Sequence, residues 1–287
     1  MDILVFGRPA DGPPRAVRGP GRWTGRRAVP RTNEPGRSVS SRLLEVLFAF
    51  QPDQTALSLA DLVRRTGLPH ATVRRLAVEL TEAGALSRDH DGRFTIGLRL
   101  WQLGTLAPLT EALRTSAQPF MEDLYTALRQ HVQLAVLEGT DAVIIERLSA
   151  PRAPGLVSQV GGRLPLHCSG VGKVLLAHGG SGLIDGVLSG TLRRFTPRTV
   201  VDPTVLRSEL AECRRTGTAN VRGELTTGAD SVATRIVDGD GAVVAALSVV
   251  VRTGSVKHQA ALPSLVAGGL GISRVLGWRP GTRVRGT

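Results

Sequence analysis

The segment LADLVRRTGLPHATVRRLAVEL, residues 59 to 80, carries two apolar stripes at helical spacing, one on each side of Gly67-Leu68-Pro69. Leu59, Leu62 and Val63 make the first stripe; Val73, Leu76, Ala77 and Leu80 make the second. Apolar residues three and four apart share one helix face, so each stripe has to be buried against a neighbour. Ser58 followed by Asp61 is an acidic form of the capping box, and Thr66-Gly67 is a helix stop. Two short helices joined by a glycine-bearing turn of three or four residues form a helix-turn-helix.

The flanks extend the pattern. From Ser38, the residues Val39, Leu43, Val46, Leu47 and Phe50 fall on one helical face, and Pro52-Asp53 ends that helix. After the third helix, about residues 70 to 83, the runs Leu86-Ser87-Arg88 and Arg93-Phe94-Thr95-Ile96 enclose Asp89-His90-Asp91-Gly92. An Asp-Gly turn between two short alternating runs is a hairpin signal, and a hairpin in this place is a wing. The third helix turns Ala71, Thr72, Arg74, Arg75 and Glu79 away from its stripe. Adjacent arginines fork onto guanine or phosphate, a hydroxyl meets phosphate, and an alanine or threonine methyl meets thymine. His70 at the helix start is either a weak phosphate ligand or a cap. Arg88, His90 and Arg93 in the wing stand where a neighbouring backbone or minor groove would lie. The expected partner is double-stranded DNA.

Net charge supports this less directly than its size suggests. The chain of 287 residues carries +12, and all but two of its basic residues are arginines. Residues 1–37 hold eight arginines against three acids, whereas 38–108 hold eight against seven. The excess therefore supplies general attraction to polyanions outside the reading segment, and specificity rests on a few side chains. Residues 1–37 are dense in Pro, Gly and Arg with no apolar period, which predicts a disordered basic arm; 278–287 reads as a basic tail.

The rest of the chain predicts a winged helix-turn-helix over 38–96, a linker helix over 97–108 broken at Pro108, and a mixed α/β domain over 109–277. In the last, a helix runs from Leu109 to His131. Strands are expected over 132–137, 142–148, 156–160, 231–237 and 242–251. Further helices are expected over 170–178, from Asp202-Pro203 to Gly217, and over 258–276.

Other chemistries fit poorly. Cys168 and Cys213 are too few for a disulfide framework or a four-thiolate zinc site. HCSGVGKV lacks the first glycine of a phosphate loop, where His167 stands, and the hydroxyl after the lysine, where Val174 stands. His167 and Cys168 are adjacent, with no orienting Asp or Asn in view. No catalytic residue, metal or cofactor is expected. The longest near-continuous apolar run, Val243 to Val251, is about half a bilayer span, and Met1-Asp2-Ile3-Leu4 does not open like a signal peptide, so a cytoplasmic protein is expected. In Ser169-Gly170-Val171-Gly172 the sequence offers two readings: a helix N-terminus open to a carboxylate, or glycines that merely permit a tight turn, with Lys173 solvated.

From Ser38 to Leu276 the sequence resembles the IclR family of bacterial transcriptional regulators. The resemblance rests on LADLVRRTGLPHATVRRLAVELTEAGAL, on RFTIGLRLWQLG, on GGRLPLHCSGVGKVLLA (161–177), on FTPRTVVDPTVLRSELAECRRTG and on VDGDGAVVAALSV. It implies an α+β protein with an N-terminal winged helix-turn-helix, a linker helix, and a GAF-like C-terminal effector-binding domain. It also implies homodimers, often assembled as dimers of dimers, that bind an operator; a repressor is expected, and the helix start at Ser169-Gly170-Val171-Gly172 would suit a small organic or aromatic acid as its effector. Carried over by position, Thr72, Arg74 and Arg75 match the DNA-contacting helix, and Ala71 stands where serine is common. The implied effector pocket involves Ser169, Gly170, Val171, Glu224, Ser231, Ser248 and Val250. This chain departs from the family pattern at Gly223-Glu224, at Thr218, at Thr234-Arg235-Ile236, where an Ala-Pro-Val-like run is usual, and at Val250. Those departures leave open a second reading in which the C-terminal domain only oligomerises.

Overall fold

Local capping sets the first elements of the computed structural model, which describes residues 38–52, 54–106, 108–151, 159–255, 257–281 and 284. Expectations for the arm over 1–37, for most of the strand over 156–160 and for most of the tail beyond 281 lie outside these residues. Helix α1 (Val39–Leu47) starts at Ser38, whose hydroxyl accepts from the Ser41 amide. Strand β1 is two residues, Ala56–Leu57. Helix α2 (Leu59–Thr66) begins with the full capping box: the Ser58 hydroxyl accepts from the Asp61 amide, and the Asp61 carboxylate accepts from the Ser58 amide at 3.0 Å. Gly67, at φ 69°, ends it in the left-handed region. Helix α3 (His70–Glu82) follows, then the wing strands β2 (Leu86–Arg88) and β3 (Phe94–Ile96). Val46, Leu62, Val73, Leu76, Ala77 and Leu80 meet Leu57, Leu86 and Phe94 in one core. Strand β1 was not anticipated, because two residues carry no period; it exists by pairing with β3.

Helix α4 (Leu98–Thr105) has no buried residue, and α5 (Pro108–Leu128) starts at the proline expected only as a breaker. Proline at a first helical position gives up no hydrogen bond. The long helix stops at Leu128, short of the expected His131, because Arg129 turns to φ 54° and His131 begins a strand.

Six strands form one sheet in the order β6-β5-β4-β9-β8-β7, every pairing antiparallel. They are β4 (His131–Glu138), β5 (Asp141–Leu148), β6 (Arg163–Pro165), β7 (Thr218–Arg222), β8 (Ala229–Val237) and β9 (Val243–Arg252). Helices α6 (Gly170–His178), α7 (Ser181–Ser189) and α8 (Pro203–Thr216) belong to one apolar core with Ala135, Ile144, Ala233 and Ala246. Helices α5 and α9 (Lys257–Val275) belong to a second with Leu134, Val232, Leu247 and Val249. Strand β6, helix α7 and strand β7 had no clear signal: β6 is three residues, α7 lies in the glycine-rich Gly179–Gly190, and β7 begins directly after the helix stop at Gly217.

Two glycines distinguish backbone from packing constraints. No atom stands within 4 Å of a Cβ added at Gly67, so Gly67→Ala is expected to cost only the left-handed backbone, about 1–2 kcal/mol. Gly97 lies against the Gly84 carbonyl, so Gly97→Ala forces the wing and α3 apart and is expected to cost more. Urea unfolding of the two variants checks the order.

Candidate functional site

Burial of Val73, Leu76, Ala77 and Leu80 fixes which face of α3 is free. Ala71, Arg74, Arg75 and Glu79 are exposed and Thr72 is half-buried, as the stripe requires. Arg75 Nη1 donates to Glu79 Oε1 at 3.1 Å one turn on. An exposed pair of this kind holds about 0.3–0.5 kcal/mol, too little to keep the arginine from a base edge or phosphate. His70 is exposed, and the N-terminus of α3 has no side-chain cap, so the capping alternative for His70 does not hold. In the wing, Arg93 is exposed, while Arg88 lies over the Phe94 ring, 4.2 Å from its centroid, and donates to the Gly92 carbonyl at 3.0 Å. Arg88 is thus engaged within the hairpin, although it too is exposed.

The second constellation is set by sheet register. Ser231, Val250 and His131 lie directly opposite one another across β8, β9 and β4, and Ala233, Ser248 and Gln133 form the next row. Arg147 continues that second row on β5. Directly opposed residues share a sheet face, so these side chains make one patch on the face that α6 covers. His131, Gln133 and Ser248 are each at most 4% exposed, which makes the patch polar and buried. The start of α6 stands over it: a Cβ on Gly170 would come within 2.7 Å of Ser231 Oγ. Ser169 caps the helix, its hydroxyl accepting from the Gly172 amide at 3.1 Å and donating to the Pro165 carbonyl. The first amides of α6 have no partner within the helix, and they carry the positive end of its dipole.

Among the residues implied by the family resemblance, Ser169, Gly170, Ser231, Ser248 and Val250 come together here. Val171 is part of the apolar core. Glu224 is committed elsewhere: its Oε1 accepts from Lys173 Nζ at 2.7 Å, and Oε2 from the Val200 amide at 3.4 Å. Lys173 also donates to Glu209 at 2.7 Å and is 2% exposed, so the reading of a solvated Lys173 is overturned. Burial raises the Glu224 carboxyl above the usual range, and the Lys173 ammonium opposes that shift. His131, Gln133 and Arg147 were missed by sequence reasoning. Polar residues at alternate positions of the otherwise apolar HVQLAVL were the available signal.

Other reactive groups are held quiet. His167 Nε2 lies 2.9 Å from the Arg193 carbonyl, and burial lowers its basicity. Burial pushes the Cys168 thiol far above its ordinary range, so it is no thiolate nucleophile at neutral pH. Among the described residues, no three His, Cys, Asp or Glu side chains group to hold a metal, and no helix is long and apolar enough to cross a membrane.

A winged helix that turns an arginine-bearing helix outward, on one chain with a helix-covered antiparallel sheet, defines a DNA-binding regulator. The family models for the IclR helix-turn-helix domain and the bacterial transcriptional regulator IclR C-terminal domain match residues 40–90 and 109–269. The chain belongs to the IclR family of transcriptional regulators. It is 30% identical to the HTH-type transcriptional regulator XynR of Escherichia coli, over 83% of this chain and 96% of that one. It is 33% identical to the Pca regulon regulatory protein of Pseudomonas putida, over 82% and 83%. Among solved structures, an IclR homolog from Microbacterium hydrocarbonoxydans complexed with 4-hydroxybenzoate is 37% identical, with a TM-score of 0.79, covering 83% of this chain and 99% of that one. These relatives are regulators, and the fold is the family's: an N-terminal helix-turn-helix and a C-terminal α/β domain.

Lys173→Met strands Glu224 in the core, and removing one partner of a buried pair costs about 3–5 kcal/mol. Without the ammonium, Glu224 takes up a proton at a pH where the unfolded chain has released it. Stability should therefore fall as pH rises from 5 to 8, and the deficit against wild type should widen. Thermal melts across that range measure it; a pH-independent deficit would contradict the assignment.

Proposed function

We propose that this protein is a repressor whose hold on a palindromic operator is modulated by a small aromatic or organic acid bound at the polar rows under the start of α6. The observation that carries this reading is the placement of Ser231, Ser248 and Gln133 on one sheet face directly beneath the start of α6. A carboxylate suits the positive end of a helix, and polar side chains on the facing strands would orient it. The 4-hydroxybenzoate complex of the Microbacterium relative supports an aromatic carboxylate as the class.

DNA contact falls to Thr72, Arg74 and Arg75 on α3, with His70, Ala71 and Arg93 flanking and Arg88 bracing the wing. The acting species is a homodimer. Leu98, Trp101, Leu103 and Leu106 on and beside α4 are each at least 60% exposed, an apolar surface that a second copy would cover. The boundaries 38–96, 97–108 and 109–277 are the working division into reader, linker and effector domain.

Three outcomes follow. Arg75→Ala should weaken a specific operator about 10- to 100-fold in fluorescence anisotropy, the equivalent of one bidentate base contact, and leave the oligomeric state unchanged. 4-Hydroxybenzoate at a hundred times its dissociation constant should stabilise the protein by about 2.7 kcal/mol and release operator, with both effects reduced in Ser248→Val. If no small carboxylate shifts the melt or the operator affinity, the C-terminal domain only oligomerises.

A further inference from the structure

A cavity lies away from the polar rows, at the edge where β8 meets the junction of α8 and β7. It measures about 170 Å³ and is bordered by Arg235, Trp278, Thr216, Thr234 and Ser273. At roughly 30 Å³ per water, it holds several waters or one small anion.

Arg235 is an unusual occupant of this strand. It stands where the family resemblance leads one to expect proline, and it is half-buried on β8. Among the described residues no carboxylate pairs with it. Its side-chain hydrogen bonds both come from Nη1, to the Arg214 carbonyl at 3.3 Å and to His178 Nε2 at 3.4 Å. His178 Nδ1 lies 2.9 Å from the Val174 carbonyl, so the ring proton belongs there, and Nε2 accepts from Arg235. Burial lowers the His178 pKa, and the neighbouring Arg235 and Arg214 lower it further, so the ring is neutral and adds no charge. A cation is favoured at the C-terminal end of α8, which accounts for Nη1. It does not account for Nε and Nη2, which retain their donors.

Trp278 supplies the second observation. Its backbone amide closes onto the Ser273 carbonyl at 2.9 Å and anchors the residue, yet its indole Nε1 is buried without an acceptor. A buried N–H left without a partner is rare in native structures. The neighbouring hydroxyls are engaged elsewhere: Ser273 Oγ accepts from the Val237 amide and donates to the Gly269 carbonyl, and Thr234 donates to the Gly217 carbonyl.

We propose that this cavity is a second ligand site, for a small oxyanion presenting at least two acceptor oxygens, either a carboxylate or a phosphate group. The guanidinium fork of Arg235 binds the anion, and the Trp278 indole N–H takes a further oxygen. Such a fork matches the geometry of carboxylate and phosphate. The site is independent of the one under α6, since it shares no residue with those rows.

The test uses the full chain with Trp23→Phe and Trp101→Phe, which leaves Trp278 as the only indole. Orthophosphate, acetate and, at matched ionic strength, chloride are titrated while Trp278 emission and the melting temperature are followed. The expected result is a saturable change with orthophosphate or acetate and none with chloride, and the oxyanion that saturates names the group. Arg235→Gln should weaken that affinity at least tenfold, and Arg235→Lys, which keeps the charge without the fork, should fall between. Trp278→Phe in the otherwise native chain should weaken the anion-dependent rise in melting temperature at least threefold. A response that never saturates, or one equal in Arg235→Gln and the parent, overturns the proposal and leaves Arg235 as a cap on α8. If Arg235→Gln melts far below the parent without anion, Arg235→Lys and Trp278→Phe carry the same decision.

Discussion

Strand β9 is buried on both sides, and the C-terminal half is organised around that fact. Ala245, Leu247, Val249 and Val251 belong to the core under α5 and α9, while Ala246 belongs to the core under α6 and α8. Because strand side chains alternate with a period of two, a slip of one residue would exchange the two sets and put Ser248 among apolar neighbours. The same register that satisfies two apolar layers therefore aligns Ser231, Val250 and His131, and beside them Ala233, Ser248 and Gln133. The polar rows are a by-product of core packing in their position and an exception to it in their chemistry.

The layer above the sheet is pinned in a different way. Helix α6 is buried along its whole length, with Gly170 close to Ser231 and Gly172 close to the backbone around Leu166. Burying a helix so fully leaves Lys173 no route to water, so its charge is met inside, by Glu224 and Glu209. A buried pair of this kind contributes little net stability against an apolar alternative, but it punishes any arrangement that separates the partners. It ties α6 to α8 and to the segment after β7, and it thereby holds the helix start over the polar rows.

The two candidate sites were legible to different degrees. The reading helix was visible because its geometry is local: Ser58, Asp61, Gly67 and the stripe Val73-Leu76-Ala77-Leu80 lie within two dozen residues. Once the stripe is buried, Arg74 and Arg75 have nowhere to go except outward. The wing was equally plain from Asp91-Gly92, although the stacking of Arg88 on Phe94 was not. The β4 members of the rows lie about 100 to 120 residues before those on β8 and β9, and only the family resemblance pointed to Ser231, Ser248 and Val250. That route named Glu224 as pocket-lining without revealing that Lys173 claims it, and it passed over His131 and Gln133 altogether.

By itself, the sequence determined the helices with strong caps, the hairpin with its Asp-Gly turn, the faces of α3, and the placement of excess charge outside the reading segment. These follow from interactions spanning three or four residues, which a linear pattern records. The tertiary structure alone decided the strand order, the short strands β1 and β6, the burial of Lys173, and the place of Arg235 and Trp278 in the lining of one cavity. Those depend on which strand lies beside which and on how deeply a helix sinks between its neighbours. Both are settled by the shared burial of distant residues, where no local spacing carries the signal.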